Sequence, residues 1–229
     1  MRFFHFAVIA LAVPFSVYSQ GTGETSRSIE GGGIHAKGWT GNVDPSEATA
    51  GMTVKDAKFV QEGTSFHVTT GPALTYWSET PAKGDYTVQA TFTEPKYMNL
   101  NSHPHPYGLA IAGNDVGAAQ QSYLYCAAYG NGNFIVRGFG PEAFQMNGRR
   151  GEANDAVHKA ASQGEPVTQE IALSVKGDKV TCSINGTAVA SYDKAALVTA
   201  GKLKSTDGMV GMRFAHNTDV TVSKFEVTK

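Results

Sequence analysis

Two of the seven histidines stand two residues apart in Asn101-Ser102-His103-Pro104-His105-Pro106-Tyr107-Gly108, and each is followed by proline. Imidazole is a common ligand for zinc-class ions and titrates near neutral pH. On a β-strand, His-x-His puts both rings on one face. Proline, however, pushes the residue before it into extended or polyproline II geometry. In polyproline II, residues two apart diverge by about 120°. A metal clip then needs further ligands. His216 and Asp219 in His216-Asn217-Thr218-Asp219 are conceivable, but nothing in the sequence brings them near. The alternative is a stiff rim segment at the start of a strand, since the prolines remove two backbone donors. This reading assigns no metal, no catalytic residue and no cofactor.

A second set of candidates lies on the neighbouring strands. In Tyr107-Gly108-Leu109-Ala110-Ile111-Ala112-Gly113, bulky residues alternate with Gly108, Ala110 and Ala112. In Gly208-Met209-Val210-Gly211-Met212-Arg213-Phe214, Gly211 and Arg213 share the small-residue face. A bare sheet face leaves room for a ligand or for a covering loop. Tyr123, Tyr125, Ala127 and Tyr129 share one face of their strand, and Arg137 shares a face with Ile135 and Phe139. Sugars stack their C–H faces on aromatic rings and present hydroxyls to planar donors. The candidate ligand-binding residues are therefore Arg213, Arg137, Tyr123 and Tyr125, with His103, His105 and His216 at the rim. The competing reading is that the tyrosines are core. Trp39 and Trp77 are expected to be packing residues.

These residues need a scaffold, and the composition points to an all-β one. The first nineteen residues read as a signal peptide, with Met1-Arg2, an apolar run and small residues before cleavage at Ser19. The apolar run is shorter than the ~20 residues that span a bilayer. The expected address is secreted or periplasmic, with no membrane insertion. Net charge is −1, which provides no basic face for nucleic acid. Twenty-six glycines, with Asn-Gly and Gly-Asp pairs between apolar runs, are typical of turn-rich β chains. Cys126 and Cys182 form an even pair that permits a disulfide in an exported protein. Each also sits mid-strand, where a small buried hydrophobe is the simpler reading.

Residues 20–51 read as a flexible arm and irregular lead-in, and residues 52–229 as one domain. Asp85 to Glu94 shows the clearest period-two pattern, with Tyr86, Val88, Ala90 and Phe92 on one face. Gly130-Asn131-Gly132 joins two strands as a hairpin. Residues 152–162 are compatible with a helical turn or two, and Asp193–Ala200 with one more. Roughly twelve short strands with tight turns make a two-sheet antiparallel sandwich.

The last third resembles the concanavalin A-like lectin/glucanase jelly rolls, and most of all the laminin G-like and 3-keto-disaccharide hydrolase-type domains of exported bacterial proteins. The resemblance is carried by "INGTAVASY" at 184–192 and "GMVGMRF" at 208–214. It implies the fold over about 54–228, and it implies binding or turnover of glycans. The glucanase branch carries Glu-x-Asp-x-x-Glu on a strand, as retaining hydrolysis requires two carboxylates about 5 Å apart. No such triplet exists here. The favoured reading is an exported, non-catalytic jelly-roll module that binds a glycan or glycoconjugate on its concave sheet. The alternatives are a carbohydrate-active hydrolase or lyase, and an adhesive module that takes a protein partner.

Overall fold

The computed structural model describes residues 24–229. The expected signal segment, with its expected cleavage at Ser19, lies outside the described residues. The chain opens with β1 (Gly33–His35) and β2 (Trp39–Val43), followed by the five-residue helix α1 (Pro45–Thr49). Next come β3 (Lys58–Glu62) and β4 (Ser65–Thr69), joined at Gly63, whose φ of 63° suits glycine. β5 (Leu74–Ser78), β6 (Tyr86–Glu94) and β7 (Tyr107–Asn114) precede the hairpin of β8 (Ser122–Ala128) and β9 (Asn133–Phe139). Two short strands follow, β10 (Ala143–Gln145) and β11 (Glu152–Ala153). β12 (Val167–Lys176), β13 (Lys179–Ile184) and β14 (Thr187–Asp193) form the expected three-strand run. The single turn α2 (Lys194–Leu197), β15 (Met209–Phe214) and β16 (Asp219–Thr228) complete the chain.

Two sheets pack face to face. One has the order β1-β3-β4-β16-β6-β12-β13-β14, and the other β10-β9-β8-β7-β15-β5-β2 with β11 on β9. All pairings of named strands are antiparallel except β1 with β3. The result is a jelly-roll sandwich, as the sequence pattern requires. No helix among the described residues is long and apolar enough to cross a membrane.

Alternation explains the core. Tyr86, Val88, Ala90 and Phe92 on β6 are buried between the sheets, while Thr87, Gln89 and Thr91 stand half-exposed on the other side. From the facing sheet come Leu109, Ile111, Leu124, Val136, Met212 and Phe214. Cys126 on β8 and Cys182 on β13 point into this layer with Cα atoms 6.3 Å apart, and they form a disulfide that ties one sheet to the other. The reading as two separate buried thiols is therefore replaced by a cross-link.

Two local expectations are corrected. The lead-in is not irregular: β1 and β2 each form an edge strand, one in each sheet. Trp39 packs edge-on against Phe59, Phe66 and Phe225 at 5.0–5.4 Å, which anchors that segment. The helical turn considered for residues 152–162 does not form. There the chain bonds sideways to β12: the His158 backbone donates to Gln169 Oε1, Gln169 Nε2 donates to the His158 carbonyl, and the His158 ring bonds the Thr168 carbonyl. Those partners replace the i to i−4 bonds of a helix.

Candidate functional site

The central strands of the β10–β2 sheet are buried on both faces. Every residue of β8 is buried, and all but the last of β7. The face turned away from the sandwich core carries its own apolar layer of Trp77, Ala110, Tyr123, Tyr125, Ala127 and Ile135. The register shows how this layer is built. One rung runs Thr75, Arg213, Gly108, Ala127, Ile135, and the next runs Trp77, Gly211, Ala110, Tyr125, Arg137. The small faces of β7 and β15 thus meet on one sheet, as the sequence indicates.

The space above those small residues is filled. Trp77 and Tyr123 pack edge to face at 5.1 Å, with Tyr123 stacked on Phe139 at 4.9 Å. A groove over Gly108, Ala110 and Gly211, which the bare faces allowed, is therefore absent. Close backbone approach accounts for two of the glycines. A Cβ at Gly108 would lie 2.1 Å from the Cys126 carbonyl oxygen, and one at Gly211 would lie 2.0 Å from that of Tyr76.

The open groove lies beside this layer, toward Arg213 and the histidines. It encloses about 840 Å³ and is lined by Tyr125, Tyr129, Arg137, Arg213, His103, His105 and His216, with Arg149 and Arg150 at its edge. Six of the seven sequence-derived candidates line it. Tyr123 does not, being fully buried beneath Trp77 and Phe139.

Arg213 is buried and meets Asp44 through two parallel bonds, Nη1 to Oδ1 at 2.5 Å and Nη2 to Oδ2 at 2.6 Å. Its guanidinium also lies 5.2 Å from the Tyr125 ring centre, in cation–π range. Asp44 sits at the N-cap of α1 yet makes no capping bond, because its carboxylate is turned to Arg213. Replacing Arg213 would leave Asp44 as an unpaired buried anion, so Arg213→Ala is not the fold-neutral change that an isolated groove arginine would permit. Arg137 is held by Gln145, whose Oε1 accepts from Nε at 3.0 Å and from Nη2 at 2.8 Å.

The histidine pair converges, contrary to the divergence expected from polyproline II geometry. His103 Nε2 lies 2.8 Å from His105 Nε2, which lies 3.2 Å from His216 Nε2. Ligand atoms of the three residues all fall within 4.8 Å of one another. Side-chain orientation decides the matter, because the His105 ring is turned by a 2.6 Å bond from Nδ1 to the His216 carbonyl. Asp219, the other conceivable ligand, is elsewhere: it accepts from His67 at 2.7 Å and from Thr69 at 3.1 Å. Burial lowers the His105 pKa to about 4, and burial also lowers that of His216. Both rings are therefore neutral at pH 7.

Several contributors come from the segment read as a lead-in. Ser26 donates to Glu47 at 2.8–2.9 Å and stands 3.4 Å from His216 Nδ1. Glu24 accepts from the Ser102 backbone at 2.6 Å and lies 3.9 Å from His103 Nδ1. Asp44-Pro45-Ser46-Glu47 carries a helix-start signature that could have drawn attention to it. No local signal links it to Arg213, 169 residues away. The carboxylates of the groove, Asp44 and Glu47, are both engaged with protein partners.

No family model matches the chain, and neither does any curated protein. Solved structures do. The carbohydrate-binding module CBM66 from Bacillus subtilis aligns with a TM-score of 0.54 at 9% identity, covering 84% of this chain and 96% of that one. A protein of unknown function with a galectin-like fold, also from Bacillus subtilis, aligns at 0.55 with 13% identity, covering 82% and 88%. A glycoside hydrolase family 16 endo-glucanase from Bacteroides ovatus aligns at 0.52 with 12% identity, covering 86% and 97%. At such identities the likeness shows the fold alone, a two-sheet jelly roll.

Proposed function

We propose that the protein is an exported jelly-roll module that binds a glycan in the groove beside Arg213. One observation carries this reading: two tyrosines, Tyr125 and Tyr129, and the cations Arg137, Arg149 and Arg150 line the same open groove. Rings stack on sugar faces and guanidinium forks take up oxygens in pairs. Arginine excess in a chain of net charge −1 favours a glycan bearing carboxylate or sulfate groups. The fold's appearance in a carbohydrate-binding module and an endo-glucanase is compatible with this reading. The Cys126–Cys182 disulfide fits an oxidising compartment, and hence export.

The test is a glycan array followed by calorimetry on the hits. Neutral and acidic oligosaccharides are compared, with Tyr129→Ala and Arg149→Ala/Arg150→Ala as variants. Each variant should weaken binding by about 1–3 kcal/mol, the range for charge-assisted bonds or stacking lost in a groove. An absence of binding across both glycan classes refutes the reading.

A carbohydrate-active enzyme is the second reading, favoured by the convergence of His103, His105 and His216 at the groove. Engagement of Asp44 and Glu47 argues against a carboxylate-pair mechanism. New reducing ends or unsaturated products released from a bound oligosaccharide would decide for this reading.

A further inference from the structure

The three histidines show more order than a rim of polar side chains needs. A carbonyl oxygen only accepts, so the 2.6 Å contact of His105 Nδ1 with the His216 carbonyl favours the ring hydrogen on Nδ1 over the longer 3.1 Å approach of Asn101 Nδ2 to the same atom. His105 Nε2 is then left with a lone pair. The Ser26 hydroxyl donates to Glu47, so its oxygen accepts from His216 Nδ1, and His216 Nε2 is also left with a lone pair. The Glu24 carboxylate beside His103 Nδ1 favours the same tautomer there. All three rings thus turn Nδ1 toward an oxygen and Nε2 toward their neighbours. Three lone pairs aimed at one region repel one another, and a cation placed between them turns that repulsion into attraction.

The geometry points to a mononuclear site for a zinc-class divalent transition ion, bound through Nε2 of His103, His105 and His216, with its remaining coordination position facing the groove. Zinc–nitrogen bonds of about 2.0–2.1 Å in a tetrahedron put ligand nitrogens about 3.3 Å apart. The separations of 2.8 and 3.2 Å come within half an ångström of that edge. The outer contacts are those that commonly orient ligating imidazoles, a backbone carbonyl and carboxylates reached directly or through a hydroxyl. The all-nitrogen set suits zinc, nickel, copper or iron, whereas magnesium and calcium prefer oxygen. The site stands independently of glycan binding, and its open position would take water, a hydroxyl or a carboxylate oxygen.

The experiment uses the full mature chain, purified without a histidine tag and stripped with chelator. Titration with Zn(II) at pH 7.5 should show one equivalent bound. Co(II) in its place should show the visible absorption of a low-coordinate nitrogen site. His103→Ala, at the half-exposed position, and His216→Ala should each weaken Zn(II) binding by about 100-fold or more, and Ser26→Ala by about 10-fold, as losses of a ligand and of an outer contact do. His67→Ala, outside the cluster, should leave it unchanged. Circular dichroism of the metal-free variants shows whether each is folded. If His216→Ala is not, His103→Ala alone decides. Failure of native protein to bind one equivalent tighter than about 0.1 mM overturns the site, as does full binding by folded His103→Ala. Mg(II) competing equally with Zn(II) would overturn the assignment of ion class.

Discussion

Arg213 and Asp44, 169 residues apart in the chain, form a two-pronged ion pair on the floor of the groove. The side chains are 7% and 13% exposed, so the pair is close to fully withdrawn from water. Attraction at such a site roughly offsets the desolvation of both charges, and removing one charge leaves the other uncompensated.

Arg213→Ala and Asp44→Ala should therefore each destabilise the fold by about 3–5 kcal/mol. Arg213→Met combined with Asp44→Leu should recover most of that loss. Urea unfolding of the four proteins checks this. Strictly additive losses in the double variant would show that the two residues act separately.

The Cys126–Cys182 bridge closes a loop of 56 residues between the sheets. A constraint of that length on the unfolded chain stabilises by about 4 kcal/mol. Cys126→Ala/Cys182→Ala should lose about 2–5 kcal/mol in denaturant unfolding, and reductant should have no effect on the variant.

Glu94 is buried, with Oε1 bonded to the Met98 backbone at 2.9 Å and Oε2 without a hydrogen-bond partner among the described residues. Burial raises its pKa to about 7 from an ordinary 4.5. Below pH 4.5 both folded and unfolded chains hold this proton. Between 4.5 and 7 only the folded chain holds it, so its contribution to stability declines as pH rises. Relative to the native protein, Glu94→Gln should gain roughly 3 kcal/mol between pH 4.5 and pH 8. A pH series of unfolding midpoints measures it, and parallel curves for the two proteins would contradict it.

Binding of an acidic oligosaccharide should weaken as ionic strength rises, because Arg149 and Arg150 are exposed and screened. In Arg149→Ala/Arg150→Ala that salt dependence should flatten. Neutral oligosaccharides should show little of it in either protein.

What the sequence discloses follows the range of the interaction. The alternation of Tyr86 to Phe92 and the Gly130-Asn131-Gly132 turn are local, and both appear as β6 and the β8–β9 hairpin. Arg213 stands out because its strand is otherwise small on that face. Its partner does not, since Asp44 is one acidic residue among twenty. The groove lies one step from where the bare faces point: small residues mark a close strand approach and a site for Trp77, and the opening lies beside them. Backbone preference before proline described the His103–Pro106 segment but not where its rings point. A hydrogen bond to His216, 111 residues later, settles that.

The segment that carries Glu24, Ser26, Asp44 and Glu47 is made well before Arg213 and His216, which follow their partners Asp44 and Ser26 by 169 and 190 positions. Ser26 must find His216 across 190 positions. Non-local closures of this kind are slow, because chain entropy is lost before any contact repays it. The early segment has to wait, unpaired, while some 170 residues are added behind it. A chain that emerges N-terminus first therefore makes its groove last, and one that stopped before Arg213 would retain most of its strands with neither the partner of Asp44 nor the third imidazole.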